Sequence, residues 1–300
     1  MEMLRKIYYL VLFLLLCMNV NSAAVLNAKP AVACGVKPET VYSTKRIVGG
    51  EETVAGEWPW MTALFHSQGN ANQPPYFKCG ATLLSDKWIA TAAHCTLALP
   101  QIFSVRLGEH DLNVKDEYEQ DIPVKTVKTH PAFGIGAKNL STGKIALYAE
   151  HDIALMELSR PARIDARTSP VCVDPGLPDF SEGKSCYIAG WGNTKLHTAT
   201  EPKLLHVSVP LVSKEKCNQI KSYGGVITDN MVCAGFEQGG KDTCEGDSGG
   251  PLLCEKDGKW YLHGISSFGH DACAIAYKYG VYTRVSQFKK WVKKVTGIDC

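Results

Sequence analysis

From residue 47 onward, short apolar and β-branched runs alternate with breaks of Gly, Pro, Asn and Asp. Runs of this kind occupy residues 103–107, 184–189, 205–209 and 260–265. Such spacing predicts an all-β protein built from many short strands. One helix is predicted near the C-terminus, where one helical face carries Val285, Phe288, Trp291, Val292 and Val295.

The N-terminus predicts secretion. Arg5 and Lys6 lead into an apolar run over residues 7–18, which is shorter than the roughly 20 residues of a typical membrane span. Small residues at Ser22, Ala23 and Ala24 offer a cleavage point. We therefore predict a signal peptide at residues 1–22, with a membrane anchor as the alternative.

The cysteines indicate the same compartment. Of 12 cysteines, Cys17 leaves with the predicted signal peptide, and the remaining count suits an oxidising environment. Spacing alone does not assign the pairs. A zinc site is disfavoured, because no pair of Cys-x-x-Cys spacings exists and the histidines lie elsewhere.

Composition describes an ordinary globular protein. The 300 residues are 45% hydrophobic and 21% charged, with a net charge of +2, so no charge bias indicates a nucleic-acid partner. The predicted helix carries a lysine face that we interpret as solvated rather than as a polyanion site: Lys289, Lys290, Lys293 and Lys294. Neither nucleic acid nor a membrane is expected as a partner of the mature chain.

Three motifs carry candidate chemistry. The segment 241–251 reads Lys-Asp-Thr-Cys-Glu-Gly-Asp-Ser-Gly-Gly-Pro and offers Ser248 as a nucleophile. A serine hydroxyl needs a base, and that base needs an orienting partner. His94 ends an Ala-Thr-Ala-Ala-His run, and Asp152 begins Asp-Ile-Ala-Leu-Met. The order along the chain is His, Asp, Ser.

These motifs, together with Arg46-Ile-Val-Gly-Gly50, resemble the chymotrypsin and trypsin family of serine endopeptidases over residues 47–300. Arthropod-type secreted proteases are one possibility within it. The resemblance implies an all-β fold of two six-stranded antiparallel β-barrels, with the active site between them and a C-terminal α-helix. It further implies that residues 23–46 form a pro-segment ahead of the catalytic domain.

The resemblance gives each motif residue a role. His94 would take the proton of Ser248, and Asp152 would hold the imidazole. The backbone N–H groups of Gly246 and Ser248 would form the oxyanion hole. Taken singly, these residues read as a buried histidine, a surface aspartate and a turn serine; three matching contexts favour the catalytic interpretation.

Substrate selection is implied by the residue six places before Ser248. Asp242 would lie at the base of the primary pocket and pair with substrate Arg or Lys, with a loop acid as the alternative. Phe268 stands where the family usually has Trp. Further substrate-binding positions are implied for Thr243, Ser267, Gly269 and Gly280.

Activation is implied by a basic pair that ends at Arg46. Cleavage there, by another trypsin-like protease or by the enzyme itself, would free the amino group of Ile47 to pair with Asp247. The alternative is a merely exposed basic pair. The family pattern implies five disulfides and leaves Cys300 over: Cys34 with Cys172, Cys79 with Cys95, Cys186 with Cys254, Cys217 with Cys233, and Cys244 with Cys273.

Two surface loops add expectations. Residues 131–151 form an insertion relative to trypsin, which should border the cleft and favour limited proteolysis; Asn139 within it is a glycosylation acceptor if the chain is secreted. Residues 107–120 resemble trypsin's calcium loop, with an ordinary solvated acidic loop as the alternative. No cofactor is required, but calcium could bind Glu109, Asp116 and Glu119 and the carbonyls of Asp111 and Val114.

Two other function classes compete with the protease interpretation. A secreted homologue of this fold could bind partners without cutting them, although such proteins usually lose the Ser or the His. A lipase or esterase is disfavoured, because 246–250 gives no Gly-x-Ser-x-Gly elbow and the triad order differs. The expected partners are a protein substrate with Arg or Lys before the scissile bond, the activating protease, and a serine-protease inhibitor.

Overall fold

The computed structural model describes residues 33–38, 51–68, 73–97, 102–139, 143, 145–193, 202–270 and 273–299. The described residues from Cys34 onward belong to one compact unit. The predicted signal peptide, the cleavage point at Arg46 and Ile47, and Cys300 lie outside these ranges. Within them, no helix is long and apolar enough to cross a bilayer.

Short strands dominate the described chain, as the alternation of apolar runs and breakers predicts. Those up to residue 158 are β1 (Glu51–Glu52), β2 (Met61–Ser67), β3 (Tyr76–Leu83), β4 (Trp88–Thr91), β5 (Ile102–Leu107), β6 (Gln120–Thr129), β7 (Gly134–Asn139), β8 (Ile145–Glu150) and β9 (Ala154–Leu158). Those that follow are β10 (Cys172–Val173), β11 (Ser185–Gly190), β12 (Leu205–Val212), β13 (Met231–Ala234), β14 (Pro251–Lys256), β15 (Lys259–Phe268) and β16 (Gly280–Arg284).

The first barrel closes in the order β2-β3-β4-β9-β6-β5, with β5 returning to β2 through antiparallel pairs such as Thr62 with Leu107. Its strands alternate between core and surface. In β5, Phe103, Val105 and Leu107 are buried, while the residues between them are partly exposed. This period of two places one face of the strand in the barrel core.

The second barrel joins β11, β12, β13, β16, β15 and β14 into a closed ring, because β12 also pairs with β13. Strand β1 adds to its outside by pairing with β12, and β10 pairs with β15. The two six-stranded antiparallel barrels expected from the resemblance are therefore confirmed.

The helical part is short. Helix α1 spans Lys214–Cys217, a 3₁₀ turn spans Val285–Phe288, and helix α2 spans Lys289–Thr296. The predicted C-terminal helix is confirmed, although its first turn is 3₁₀. Its apolar stripe contacts more than the second barrel, since the rings of Phe288 and Trp291 also pack on His130 between β6 and β7.

The insertion at residues 131–151 forms a hairpin of β7 and β8, which pair with each other and with no other strand. Its alternation of side chains is unusual for a surface hairpin, because large apolar residues lie on the exposed face. The outward face carries Ile135, Ile145 and Leu147, which are 62%, 65% and 70% exposed. The opposite face carries Tyr148, which packs on a cluster that includes Phe268.

Five disulfides join the pairs that the resemblance implies: Cys34–Cys172, Cys79–Cys95, Cys186–Cys254, Cys217–Cys233 and Cys244–Cys273. Because disulfide bonds persist in oxidising compartments, this set agrees with an extracellular protein.

Candidate active site

His94 and Asp152 meet at one end of two paired strands of the first barrel, since His94 follows β4 and Asp152 precedes β9. Asp152 is 1% exposed, and its Oδ2 lies 2.8 Å from His94 Nδ1. Its Oδ1 accepts the backbone N–H of His94 at 2.9 Å. Two contacts from one residue fix both the position and the ring orientation of the imidazole.

Two further hydroxyl groups hold Asp152. Ser267 Oγ donates to Asp152 Oδ2 at 2.5 Å, and Thr283 Oγ1 donates to the backbone carbonyl of Asp152 at 2.7 Å. Both hydroxyls come from the second barrel, from β15 and β16. The carboxylate of the first barrel is thereby tied to the second barrel across the cleft.

Local sequence places these residues. His94 lies in a 3₁₀ turn at Ala93–Thr96 directly after β4, and the neighbouring Cys95 is bonded to Cys79 of β3. Asp152 follows His151, whose φ of 53° is unusual for a residue with a side chain. That bend ends β8 and turns the next carboxylate toward the imidazole.

Ser248 lies in a loop that both barrels hold. Its carbonyl accepts the N–H of Gly80 at 2.9 Å, and the next residue, Gly249, donates to Ser266 at 2.8 Å. Gly249 has a φ of +77°, and a Cβ there would lie 2.2 Å from Thr91 Oγ1. Only glycine fits this turn.

The described contacts include no hydrogen bond between Ser248 Oγ and His94. The Nε2 atom of His94 lies 3.8 Å from Cys95 Sγ. Catalytic hydrogen bonds are often long or poorly aligned before substrate binds, so this geometry does not argue against the pair. Gly246, the other predicted oxyanion residue, adopts a φ of 95°.

The carboxylate of Asp247 is held by backbone N–H groups. It accepts the N–H of Gly192 at 2.8 Å and the N–H of Cys244 at 3.0 Å. The residue as a whole is partly exposed, but its carboxyl group is enclosed, and burial raises its pKa to about 6. Among the described residues, no Lys, Arg or His forms an ion pair with it.

Asp242 lies close to Gly269, where a Cβ would be 3.9 Å from its Oδ2. Its carboxylate accepts the N–H of Thr243 at 2.8 Å and that of Ala274 at 3.3 Å. Burial is the main cause that raises its pKa to about 6, and those N–H groups act against it. A Cβ on Gly280 would lie 2.6 Å from Asp242 Oδ1, so a glycine is needed to leave the carboxylate room.

A cleft beside Asp242 brings Thr243, Ser267 and Gly269 together, whereas Asp242 and Gly280 are not among its lining residues. It is lined by residues of the 243–248 segment, by the Ser266–His270 segment and by Cys273. Phe268 stacks edge to face with Tyr223 at 6.1 Å between ring centroids. The hairpin residue Tyr148 packs on the same cluster, so the insertion borders this end of the cleft.

In the loop at 107–120, arginine side chains contact the three carboxylates that the resemblance implies as calcium ligands, while Glu119 Oε2 is buried with no hydrogen-bond partner in the described chain. The carboxylates of Glu109 and Glu119 lie 3.1 and 3.4 Å from the guanidinium of Arg106, and that of Asp116 lies 2.5 Å from Arg167. The carbonyl of Asp111 accepts the N–H of Val114. In the described chain, the one group of three close metal-ligand types is Cys79, His94 and Cys95, whose cysteines are bonded to each other.

The fold and the cleft define a class of protein: a double β-barrel with a His–Asp pair and a serine loop between the barrels. A comparison with family models agrees with it, since the family described as Trypsin matches residues 47–292. The chain belongs to the trypsin family. This membership supports a trypsin-like serine protease acting on proteins.

Sequence reasoning missed two features of the site. It assigned Ser267 to substrate binding alone, whereas its hydroxyl holds Asp152. It also passed over Gly190 and Gly192, where a Cβ would come within 2.0 and 2.4 Å of the Asp247 carboxyl group. The Gly-Trp-Gly pattern at 190–192 was the available signal, because paired glycines indicate close approach of another group.

Proposed function

We propose that this chain is the zymogen of a secreted serine endopeptidase, which is activated by cleavage after Arg46 and then cuts after Arg or Lys. The observation that carries the proposal is the 2.8 Å contact of His94 Nδ1 with Asp152 Oδ2. Ser248 lines a cleft together with Thr243, the residue next to Asp242. The five disulfides agree with secretion.

The chemistry follows from the two imidazole nitrogens of His94. Nδ1 faces Asp152, so the neutral ring carries its proton there and leaves Nε2 free as a base. Nε2 takes the proton of Ser248 as the oxygen attacks a peptide carbonyl. It then gives the proton to the leaving amine, and water repeats the sequence on the acyl-enzyme. The N–H groups of Gly246 and Ser248 stabilise the oxyanion.

Specificity follows from Asp242. A carboxylate whose pKa burial raises is costly to ionise, and a substrate guanidinium or ammonium group beside it restores the charged form. Arg and Lys side chains are long enough to reach the base of a cleft, and Thr243 lies next to that carboxylate. Substrates with aromatic or small residues leave the carboxylate without a counter-charge.

Activation follows from Asp247. Its buried carboxyl group, held by Gly192 and Cys244, would pair with the ammonium group of Ile47 once the chain is cut. The residue directly precedes Ser248, so that ion pair fixes the nucleophile loop and the oxyanion donors. The uncut chain is therefore nearly inactive.

Substrate choice beyond the first pocket is narrow, because the hairpin borders the cleft. Lys138 of β7 donates to the carbonyl of Gly225 at 2.6 Å, and Asn230 donates to Glu150 of β8 at 2.6 Å. These contacts fix the hairpin against the second barrel. Asn139 is exposed at the end of β7, as a glycosylation acceptor must be. A fixed wall of this kind favours limited proteolysis of exposed loops.

We also propose that the loop at 107–120 works without calcium. Arg106 supplies the positive charge that a cation would bring, since it contacts Glu109, Glu119 and Asp121. The side-chain hydrogen bonds to Asp121 and Glu109 raise the pKa of Arg106 against the opposing effect of burial.

The decisive experiment compares four proteins on peptide substrates that end in Arg, Lys, Phe or Ala. They are the chain cut after Arg46, the uncut Arg46→Gln variant, the cut Ser248→Ala variant, and the cut Asp242→Ser variant. We expect the first alone to hydrolyse the Arg and Lys substrates rapidly. The same samples are treated with a serine-directed phosphonate, which should label Ser248 of the cut chain.

Each alternative gives a distinct result. A cut, folded chain that neither hydrolyses peptides nor reacts with the phosphonate is a binding homologue without activity. Phosphonate labelling with cleavage after Phe would retain the triad and reject the role of Asp242. Equal activity of the uncut variant would reject activation at Arg46.

A further inference from the structure

Residues 33–38 of the predicted pro-segment are held by more than the disulfide of Cys34 with Cys172. The N–H of Gly35 donates to the carbonyl of Pro170 at 2.8 Å, and its own carbonyl accepts the N–H of Trp260 at 2.9 Å. A Cβ on Gly35 would lie 2.4 Å from the Trp260 carbonyl oxygen. The segment therefore lies tightly against β15.

Lys37, within this segment, lies in a site that we call the lysine box. Trp58, Trp260 and Glu57 form this site. The Nζ atom lies 3.2 Å from the ring centroid of Trp58 and 4.6 Å from that of Trp260. Glu57 Oε1 is 3.8 Å from the same nitrogen. Only 22% of the lysine side chain is exposed.

Contacts other than those with Lys37 also hold the rings of the lysine box. Trp58 and Trp260 meet edge to face, 4.9 Å apart at 87°. Trp58 Nε1–H donates to His206 Nδ1 at 2.8 Å. Burial lowers the pKa of His206, so the ring is neutral at pH 7 and Nδ1 can accept that bond.

Such an arrangement suits an ammonium group. A cation over the face of an indole is attracted by the negative face of the ring, and the attraction grows as water is removed. Lost hydration lowers the pKa of Lys37 to about 8 and outweighs the attraction of Glu57, but the side chain still carries its charge at pH 7. Two indole faces and one carboxylate are available to offset the lost hydration.

We propose that the lysine box is a binding site for the ammonium group of Lys37, and that it keeps residues 33–38 docked on the catalytic domain after cleavage, independently of the disulfide. The two-chain form rests on the proposed function, because cleavage after Arg46 creates it. Docking itself exists in the uncut chain and can be measured there.

The lysine box also reaches the start of the mature chain. His206 lies 3.4 Å from Glu57 and 3.6 Å from Glu51, which begins β1. Glu51 pairs with His206 in the register of β1 on β12. The docked pro-segment and the first strand after the cleavage point thus share one group of side chains.

The first experiment measures docking in the uncut chain with all disulfides intact, in a Ser248→Ala background. Hydrogen exchange is followed at the backbone N–H of Trp260, which donates to Gly35. We expect Lys37→Met to speed this exchange about tenfold, since it removes the charge but keeps an apolar stem. Lys37→Arg should change it much less. The matched control is Lys259→Met, an exposed lysine beside Trp260.

The second experiment measures retention after cleavage. Cys34→Ala with Cys172→Ala removes the tether, added trypsin cuts after Arg46, and the fragment that stays with the catalytic domain is followed by size exclusion and mass spectrometry. We expect the fragment to leave about tenfold faster when it carries Lys37→Met. Both experiments read structure rather than activity, so an inactive protein would still test the lysine box.

Two outcomes would overturn the proposal. Exchange at Trp260 that is equal or slower in Lys37→Met would show that the box accepts any apolar stem. Immediate loss of the Lys37 fragment from the untethered, folded protein would show that the disulfide alone holds it. If the double cysteine variant does not fold, the exchange experiment on the intact disulfide decides.

Discussion

The carboxylate of Asp152 differs from those of Asp242 and Asp247 in the partners that surround it. Asp152 accepts hydrogen bonds from the backbone and ring of His94 and from Ser267, so the chain itself completes its surroundings. Asp242 and Asp247 accept backbone N–H groups, and burial raises the pKa of each to about 6. Neither forms an ion pair with a described Lys, Arg or His.

Asp152 already has its hydrogen-bond partners within the chain, whereas Asp242 and Asp247 have no described cationic partner. The His94–Asp152 contact is in place in the uncut chain, so the base needs no assembly step. No described Lys, Arg or His pairs with Asp242 or Asp247, and in the proposed mechanism a cation reaches each of them from outside the loop. The substrate side chain supplies one at Asp242, and the new amino terminus supplies the other at Asp247.

The largest effect on catalysis is expected at Asp152, whose partners are all supplied by the chain. Asp152→Asn keeps the shape but no longer favours the tautomer that leaves Nε2 of His94 free, so kcat should fall about 10⁴-fold. Rates are measured on an Arg peptide with cut protein. The thermal unfolding profile serves as the control for folding. A fall of less than tenfold would mean that Asp152 does not orient the base.

A smaller loss is expected at the primary pocket. Asp242→Ser removes the counter-charge for a substrate guanidinium, and kcat/KM for Arg peptides should fall by about two to three orders of magnitude. Phosphonate labelling of Ser248 should persist, since the triad is untouched. Thr243→Ala is the control for a neighbouring polar change. Unchanged preference for Arg in Asp242→Ser would contradict the role of this carboxylate.

At Asp247 the expected effect is on stability and on its pH dependence. Burial raises the pKa from 3.8 to about 6, so folding favours the protonated form. The stabilisation that the protonated Asp247 gives the folded state is fully present below pH 3.8 and is lost as the pH rises through 6. The loss amounts to about 3 kcal/mol at pH 7 as an upper figure.

Urea unfolding of the uncut Ser248→Ala protein at pH 4 and pH 7 measures this. Asp247→Asn, which stays neutral, should lower the pH dependence and be the more stable variant at pH 7. Asp242→Asn is the matched control for the other raised pKa. After cleavage the sign should reverse, because the Ile47 ammonium group then pairs with the ionised Asp247. The same order before and after cleavage would argue against that ion pair.

The smallest effect is expected in the acidic loop, where the chain supplies its own cation. Calcium or a chelator should leave the melting temperature of the natural protein unchanged. Arg106→Gln should lower the free energy of unfolding by about 1 kcal/mol or less, since the guanidinium is partly exposed and screened. Added calcium should then restore part of the loss. A calcium-dependent melting temperature in the unaltered chain would reject the proposal that Arg106 takes the place of a calcium ion.

Much of the fold and site was accessible from the sequence, because the signals are local. Strand runs, breakers and the contexts of His94, Asp152 and Ser248 need no knowledge of distant contacts. The loop at 107–120 was different. Arg106 faces Asp121 only because β5 pairs with β6 in that register. A sequence shows acidic residues but does not give the strand register that brings a guanidinium among them.

Lys37 and the hairpin illustrate the same limit. The aromatic rings around Lys37 come from residues 58 and 260, which are distant in the chain. In the hairpin, alternation indicated neither the pairing of β7 with β8 nor which face would be covered. Tyr148 determines which face of the hairpin is covered, because its ring packs on the cluster with Phe268 and leaves Ile135 and Leu147 exposed.

The pairing of β1 on β12 has a consequence for the rate of the activation step that we propose. Glu51 is fixed by its partner His206, and Ile47 is four residues away along the chain. Four residues reach at most about 14 Å, so a newly freed amino terminus searches a very small volume. Its effective concentration near the barrel is millimolar or higher, by the usual order of magnitude for short tethers. Activation on this account is a first-order event, independent of protein concentration once the bond is cut.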